Sequence, residues 1–167
     1  MKICLVGFMG SGKSVFGQEL AAQLAFDFAD TDKLIEESTG MKIPDIFSTH
    51  GEEFFRDSEK TVLSETLLKD NIVISTGGGL PVYFDNMEQM LRKSVTVFLK
   101  PSINELYERL KNDRLLRPLL MSIPEEKLME HIQALYSLRL PYYKKAQLVI
   151  SPTQMTAKFL AGYLLKG

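Results

Sequence analysis

The run Gly7-Phe8-Met9-Gly10-Ser11-Gly12-Lys13-Ser14 has the residue types and spacing of a nucleotide phosphate cradle, Gly-x-x-x-x-Gly-Lys-Ser. Each type has a physical reason. Glycines let backbone N–H groups turn inward around a phosphate with no Cβ in the way. A helix starting directly afterwards adds its own N-terminal N–H groups and positive dipole end. Lys13 is spaced to reach the β- and γ-phosphates, and Ser14 offers a hydroxyl to Mg²⁺. The plain alternative is a Gly-rich turn with a solvated lysine. Context speaks against it. The apolar run Ile3-Cys4-Leu5-Val6 reads as a buried strand before the motif, and Val15 to Leu24 follows with helical periodicity.

A phosphoryl donor needs an acceptor, and several charged residues suit one. Asp30-Thr31-Asp32 lies just past a second strand, and in extended chain its two carboxylates point the same way. One would hold water on Mg²⁺ and the other would contact an acceptor hydroxyl. Otherwise Asp32 merely caps a helix starting at Lys33. Arg56 follows Glu52 by four residues and Glu53 by three, so it is either one arm of a surface helix pair or a cation aimed at a ligand. Phe54 and Phe55 beside it read as core. Thr76-Gly77-Gly78-Gly79 closes a strand and suits close approach of backbone to a ligand, or a flexible exit. Arg139 is the most telling single residue after the cradle. The apolar stripe Leu128, Ile132, Leu135 next reaches position 139, and Pro141 reads as the helix stop. Arg139 therefore either snorkels at a helix end or points into a polar site, where a guanidinium fits a carboxylate through two parallel hydrogen bonds. Arg114 and Arg117 sit in a loop. Brought over a γ-phosphate, a loop arginine stabilises spreading negative charge. His50 and His131 have no partner pattern, and the methionines read as core filler.

The elements that must position these residues alternate. Ile3–Val6, Ile72–Ser75, Val95–Leu99 and Leu148–Ile150 read as strands, with Phe26–Ala29 a fainter one. Helical periodicity covers 15–24, 52–69, 85–92, 102–110, 125–140 and 154–165. Ser102 with Glu105 fits a capping box, and Pro124-Glu125-Glu126 fits a first helical turn. Such alternation predicts an α/β fold of three layers, a parallel sheet flanked by helices. Ligands of open parallel sheets sit at the carboxyl ends of the strands. Two stretches depart from the alternation: a largely helical insertion at 31–60 and a loop at 111–123. The 167 residues suit a single domain, 1–167. A formal net charge of −1 gives no bulk field toward nucleic acid or membrane. The lone Cys4 excludes an internal disulfide. A strand at the very start leaves no room for a signal peptide, and no apolar run nears the ~20 residues of a membrane span. The expectation is a cytoplasmic monomer with small-molecule partners only.

The set Gly-Phe-Met-Gly-Ser-Gly-Lys-Ser, Asp-Thr-Asp, Phe-Arg, Gly-Gly-Gly, Arg-Pro-Leu-Leu and the late Arg139 resembles the shikimate kinase family, in order and over nearly the whole chain. The resemblance implies ATP-dependent phosphorylation of the 3-hydroxyl of shikimate, in aromatic amino-acid biosynthesis. It implies a P-loop kinase fold with five parallel strands in the order 2-3-1-4-5. It implies that Gly10, Ser11, Gly12, Lys13, Ser14 and Val15 hold ATP, that Ser14 ligates Mg²⁺ directly, and that Asp30 reaches it through water. Asp32 would bind the acceptor hydroxyls and orient or deprotonate the attacking one. Arg56 and Arg139 would clamp the carboxylate, with Gly78 and Gly79 as backbone donors and Glu59 positioning Arg56. Arg117 would swing in with the 111–123 lid, and Arg109 would lie against adenine. Ser151-Pro152-Thr153 departs from the Asp-Thr that many members carry at the adenine loop.

Other readings stay open at this point. An arginine pair would accept gluconate or another hydroxy-acid. A nucleoside monophosphate kinase would need a base pocket in 31–60, and a GTPase would carry Asn-Lys-x-Asp, which this chain lacks. A silent ATP-binding module is the remaining class, against which Lys13, Asp30, Asp32 and Arg117 argue.

Overall fold

Side-chain alternation along one strand decides the architecture. In the computed structural model, which describes residues 1–166, β1 (Lys2–Val6) sends Ile3 and Leu5 into one apolar cluster and Cys4 and Val6 into another. A strand buried on both faces must lie between two helical layers. β3 (Ile72–Ser75) and β4 (Val95–Leu99) divide the same way: Ile72, Ile74 and Phe98 face one side, and Val73, Val97 and Leu99 the other. β2 (Asp27–Asp30) and β5 (Leu148–Ile150) complete a parallel sheet in the order β2-β3-β1-β4-β5. The expected fold class and strand order are both found.

One layer is α1 (Lys13–Leu24) packed on α7 (Ala157–Leu164). The other is formed by α3 (Ile43–Thr66), α4 (Asn86–Lys93), α5 (Ile103–Asp113) and α6 (Glu125–Tyr143), which bury Leu63, Met87, Leu106 and Ile132 around Phe8 and Phe98. The 31–60 insertion comprises α2 (Thr31–Thr39) and the first part of α3. Its Ile35, Ile46 and Phe55 form a small separate core with Val62 from further along α3. Because the strands are parallel, β1, β2 and β3 exit at one edge. They deliver the glycine cradle, Asp30 and Gly77–Gly79 to the same place.

Several boundaries differ from the sequence reading, each for a local reason. Phe26 does not open β2. Ala25 is left-handed (φ 54°) and the Phe26 N–H returns to Ala21 O at 2.9 Å, so both residues close α1. The helix expected over 52–69 is the second part of a longer one that breaks at Gly51 (φ 82°) and ends at Thr66. Pro141 does not stop α6. It sits inside the last turn, and burial of Tyr143 in the core carries the helix onward. The loop expected from 111 begins later, because α5 runs to Asp113 and Arg114–Leu116 forms a 3-10 turn. The last helix starts at Ala157, three residues late, where the Thr156 hydroxyl accepts from Phe159 N–H at 3.2 Å. Phe54 is exposed, whereas Phe55 is buried as expected.

Candidate active site

The cradle folds around its own lysine. Gly12 is left-handed (φ 88°) and caps α1, which starts at Lys13 rather than Val15. Lys13 and Ser14 therefore belong to the first turn, where free N–H groups and the dipole are strongest. The Lys13 ammonium donates to Gly7 O (2.9 Å), Phe8 O (2.8 Å) and Ser11 Oγ (3.2 Å). Burial lowers its pKa to about 8, against the opposing pull of Asp32 and Asp30. Arg109 lies on the rim of this cradle, its Nη1 donating to Gly10 O at 3.0 Å.

Asp30-Thr31-Asp32 is not extended as the sequence reading had it. Asp30 ends β2 and caps α2, its Oδ1 accepting from Asp32 N–H (3.1 Å) and Lys33 N–H (3.4 Å). Asp32 is thus a first-turn helical residue, and Asp30 takes the cap role considered for Asp32. The helical turn sends the two carboxylates to different work. Asp30 Oδ2 accepts from Ser14 Oγ at 2.5 Å, and Ser75 Oγ lies 3.3 Å from the same hydroxyl. Among the described residues, Asp32 Oδ1 is buried without a hydrogen-bond partner, as is Glu59 Oε1. A Cβ on Gly77 would stand 2.6 Å from the first and 2.7 Å from the second, so only glycine lets the two carboxylates converge there. Burial and the charge of Asp30 push the Asp32 pKa up to about 6. Burial pushes Glu59 up to about 7 against the pull of Arg56.

Arg56 is 4 % exposed, which rules out the surface-pair reading. Glu52 Oε1 accepts from its Nε (3.1 Å) and Nη2 (2.8 Å), and Glu59 Oε2 accepts from Nη1 (2.7 Å). Glu53, the other acid considered, is exposed and takes no part. A guanidinium has more donors than these contacts use, so one N–H remains on each terminal nitrogen. Arg139 is also 4 % exposed. It continues the inward stripe Leu128, Ile132, Tyr136, and among the described residues it has no carboxylate within ion-pair distance. It is therefore not a surface helix-end cation. Tyr143, one turn further, donates from its hydroxyl to Gly78 O at 2.5 Å.

Two cavities meet at these residues. The larger, of about 670 Å³, is lined by Gly10 to Val15, Arg109 and Pro152. The smaller, of about 310 Å³, is lined by Arg56, Glu59, Gly77, Gly79 and Arg139. Met9, Ser14, Asp30, Asp32, Gly78 and Arg117 line both and form the neck between them. Arg117 Nε is buried there without an acceptor among the described residues, whereas Arg114 is tied down by donating to Ile123 O at 3.1 Å. Orphaned carboxylate oxygens call for donors such as hydroxyls, and unpaired guanidinium groups call for an anion.

Sequence reasoning missed Ser75, Thr31, Tyr143 and Tyr83, and took Glu52 only as a surface partner of Arg56. Thr31 Oγ1 accepts from Gly77 N–H at 2.9 Å and ties α2 to the glycine run. Tyr83 donates to Glu52. Glu52 had a usable signal, its spacing from Arg56. The tyrosines had none, because their partners are distant in sequence.

The hard oxygen donors Ser14, Asp30 and Ser75 converge at the first turn of α1 and suit Mg²⁺. Among the described residues no cluster of three His, Cys, Asp or Glu forms a protein-only metal cage. Mg²⁺ at phosphoryl-transfer sites is generally held by one or two protein oxygens, with substrate phosphates and water supplying the rest.

The family model for shikimate kinase matches residues 9–166. The chain is 40% identical over 165 residues to a shikimate kinase of Thermodesulfovibrio yellowstonii, covering 98% of this chain and 92% of that one. It is 43% identical over 154 residues to one of Sulfurihydrogenibium sp., covering 92% and 89%. A solved structure of the shikimate kinase of Acinetobacter baumannii in complex with shikimate superposes with a TM-score of 0.88 at 35% identity, covering 99% and 90%. With the fold and the two-cavity site in agreement, the chain belongs to the shikimate kinase family.

Proposed function

We propose that this protein transfers the γ-phosphoryl group of ATP to the 3-hydroxyl of shikimate. The family supports the overall reaction. The observation that carries the residue assignments is the pairing, in one small cavity, of two buried arginines with two carboxylate oxygens that lack donors. A molecule bearing one carboxylate and several hydroxyls satisfies both needs.

In this reading the larger cavity takes ATP, with Gly10, Ser11, Gly12, Lys13, Ser14 and Val15 around its phosphates and Arg109 and Pro152 toward the base. Mg²⁺, held by Ser14 and through water by Asp30, would neutralise charge on the phosphate oxygens. Arg56 and Arg139 clamp the shikimate carboxylate, with Gly78 and Gly79 as backbone donors. Asp32 holds the acceptor hydroxyl in line. As the hydroxyl oxygen bonds to phosphorus and the bond to ADP breaks, the proton passes to Asp32. A pKa near 6 suits that carboxylate to take a proton near neutral pH. Arg117 and Lys13 stabilise the spreading charge on the transferred group. The proposal treats the chain as one catalytic domain, with 31–60 as the acceptor-binding insertion and 111–123 as a lid that excludes water. It also takes the enzyme to work as a monomer in the cytoplasm, the compartment that supplies ATP. No helix among the described residues is long and apolar enough to cross a membrane.

The deciding experiment is ADP release from Mg-ATP with shikimate, gluconate, AMP or no acceptor. Release that depends on shikimate supports the reading. Release with another acceptor instead keeps the phosphate chemistry and overturns the acceptor. Arg139→Ala tests the clamp. Charge-assisted hydrogen bonds are worth about 1.5–3 kcal/mol, so KM for shikimate is expected to rise roughly 10–100-fold. KM for ATP should change by less than about 3-fold, since an arginine on the acceptor side leaves uniform ATP binding intact. Equal rises in both constants, read from steady-state kinetics, would reject the carboxylate role.

A further inference from the structure

Arg56 is gripped from a side that the reaction itself does not use. Tyr83 follows the 3-10 turn Leu80–Val82 and lines neither cavity. Its ring centroid lies 4.2 Å from the Arg56 guanidinium carbon. Its hydroxyl donates at 2.9 Å to Glu52 Oε1, the same oxygen that accepts from Arg56 Nε and Nη2. From the glycine run, Gly79 comes so close that a Cβ there would stand 2.4 Å from Arg56 Nη1. One short segment, 79–83, therefore packs against the guanidinium twice, at one terminal nitrogen and across its face.

The need for this grip follows from Glu52. Its side chain is 45% exposed, and it stands immediately after the break at Gly51. A carboxylate that open to water has little to hold it except Arg56 and the Tyr83 hydroxyl. If Glu52 swings away, Arg56 loses the acceptor that fixes Nε and Nη2, and the direction of its remaining N–H groups is lost with it. The chain next to Tyr83 is itself constrained. Phe84 is a non-glycine residue in the left-handed region (φ 53°), and the Lys60 ammonium lies 4.9 Å from its ring. Bulky residues persist in that region only where the surroundings over-determine them.

We infer that Tyr83 is a positioning residue for acceptor recognition, its ring and hydroxyl locking Arg56 and Glu52 so that one N–H on each terminal nitrogen is presented to the acceptor's carboxylate. This rests on the assignment of Arg56 to the shikimate carboxylate. The benefit is preorganisation: a long side chain already fixed in its bound form loses less freedom when the ligand arrives.

The test compares Tyr83→Leu, which removes ring and hydroxyl, with Tyr83→Phe, which keeps the ring. Shikimate and shikimate methyl ester serve as acceptors. With shikimate, KM is expected to rise about 10-fold for Tyr83→Leu and about 3-fold for Tyr83→Phe, in keeping with the size of cation–π and single hydrogen-bond contributions. The kcat and the KM for ATP should stay within about 2-fold, because neither depends on acceptor-carboxylate binding. With the methyl ester, which lacks the negative charge, Tyr83→Leu should change KM by less than about 2-fold, and the same should hold for shikimate in an Arg56→Ala background. An equal rise for acid and ester, a matching rise for ATP, or no change with shikimate would each overturn the inference. Wild-type turnover separates the two claims. Failure of the wild type to use shikimate overturns the acceptor reading and this role together. Turnover by wild type with an unaltered Tyr83→Leu constant overturns this role alone.

Discussion

Arg117→Ala is expected to lower kcat by about 10³-fold or more, the scale set by arginines that stabilise a transferring phosphoryl group. KM for either substrate should change by less than about 10-fold, because an interaction made chiefly in the transition state leaves ground-state binding nearly intact. The expectation rests on where Arg117 lies. It lines both cavities, and its charge is felt at Lys13 and at Asp32, the two groups assigned to the phosphate and the acceptor. Its Nε is buried without an acceptor, a cost a fold tolerates where a ligand anion completes the contact. The segment that carries it is anchored on either side, by Leu120 in the core and by Arg114 on Ile123 O. Removing the side chain should therefore cost chemistry rather than structure. Arg117→Lys separates charge from shape. A point charge without the planar fork should recover only part of the lost kcat. Steady-state kinetics of the two variants would exclude the transition-state role if kcat stayed within about 3-fold of wild type.

What could be read in the chain and what could not divides along the range of the interactions. The cradle was legible because strand, glycines, lysine and helix are contiguous and each acts on its neighbours. Arg139 was legible as a charge on an apolar stripe, and its burial settles which way it points. The end of its helix was misread, because the local signal of Pro141 is outweighed by burial of Tyr143. Asp30 and Asp32 were identified with the wrong local geometry. Which residue caps α2 depends on where β2 ends, and that is set by pairing of Asp30 with Ser75 across the sheet. The grip of Tyr83 on Arg56 and the link from Tyr143 to Gly78 join residues 27 and 65 positions apart, and no periodicity reports such contacts. The convergence of Asp32 and Glu59 over Gly77 is of the same kind. It exists only once α2, α3 and the end of β3 are packed together.

Asp32→Asn is expected to separate activity from stability. An asparagine can orient the acceptor hydroxyl but cannot accept its proton, so kcat should fall about 10²–10⁴-fold. In the wild type, kcat/KM for shikimate should fall as the pH drops through about 7 to 6, where Glu59 and Asp32 take up protons. The variant should lose the Asp32 part of that dependence. Stability should move the opposite way. The folded protein raises the Asp32 pKa from 3.8 to about 6, so it binds that proton more tightly than the unfolded chain does. Such a group favours folding at low pH, and the benefit is lost as the pH rises through that window. Above about pH 7 the wild type holds a buried carboxylate ionised at a net cost, even with Lys13 and Arg117 beside it. A neutral amide removes the cost. One pKa unit corresponds to about 1.4 kcal/mol, and 1 kcal/mol to roughly 2–4 °C in a domain of this size. Melting of the ligand-free proteins should therefore show the Asp32→Asn variant several degrees more stable at pH 7.5, with the gap closing toward pH 4. A variant less stable than wild type at pH 7.5 would mean that Lys13 needs the Asp32 charge more than Asp32 suffers from burial. A gap independent of pH would mean that Asp32 does not titrate in this window, and its assignment as the proton acceptor would fail with it.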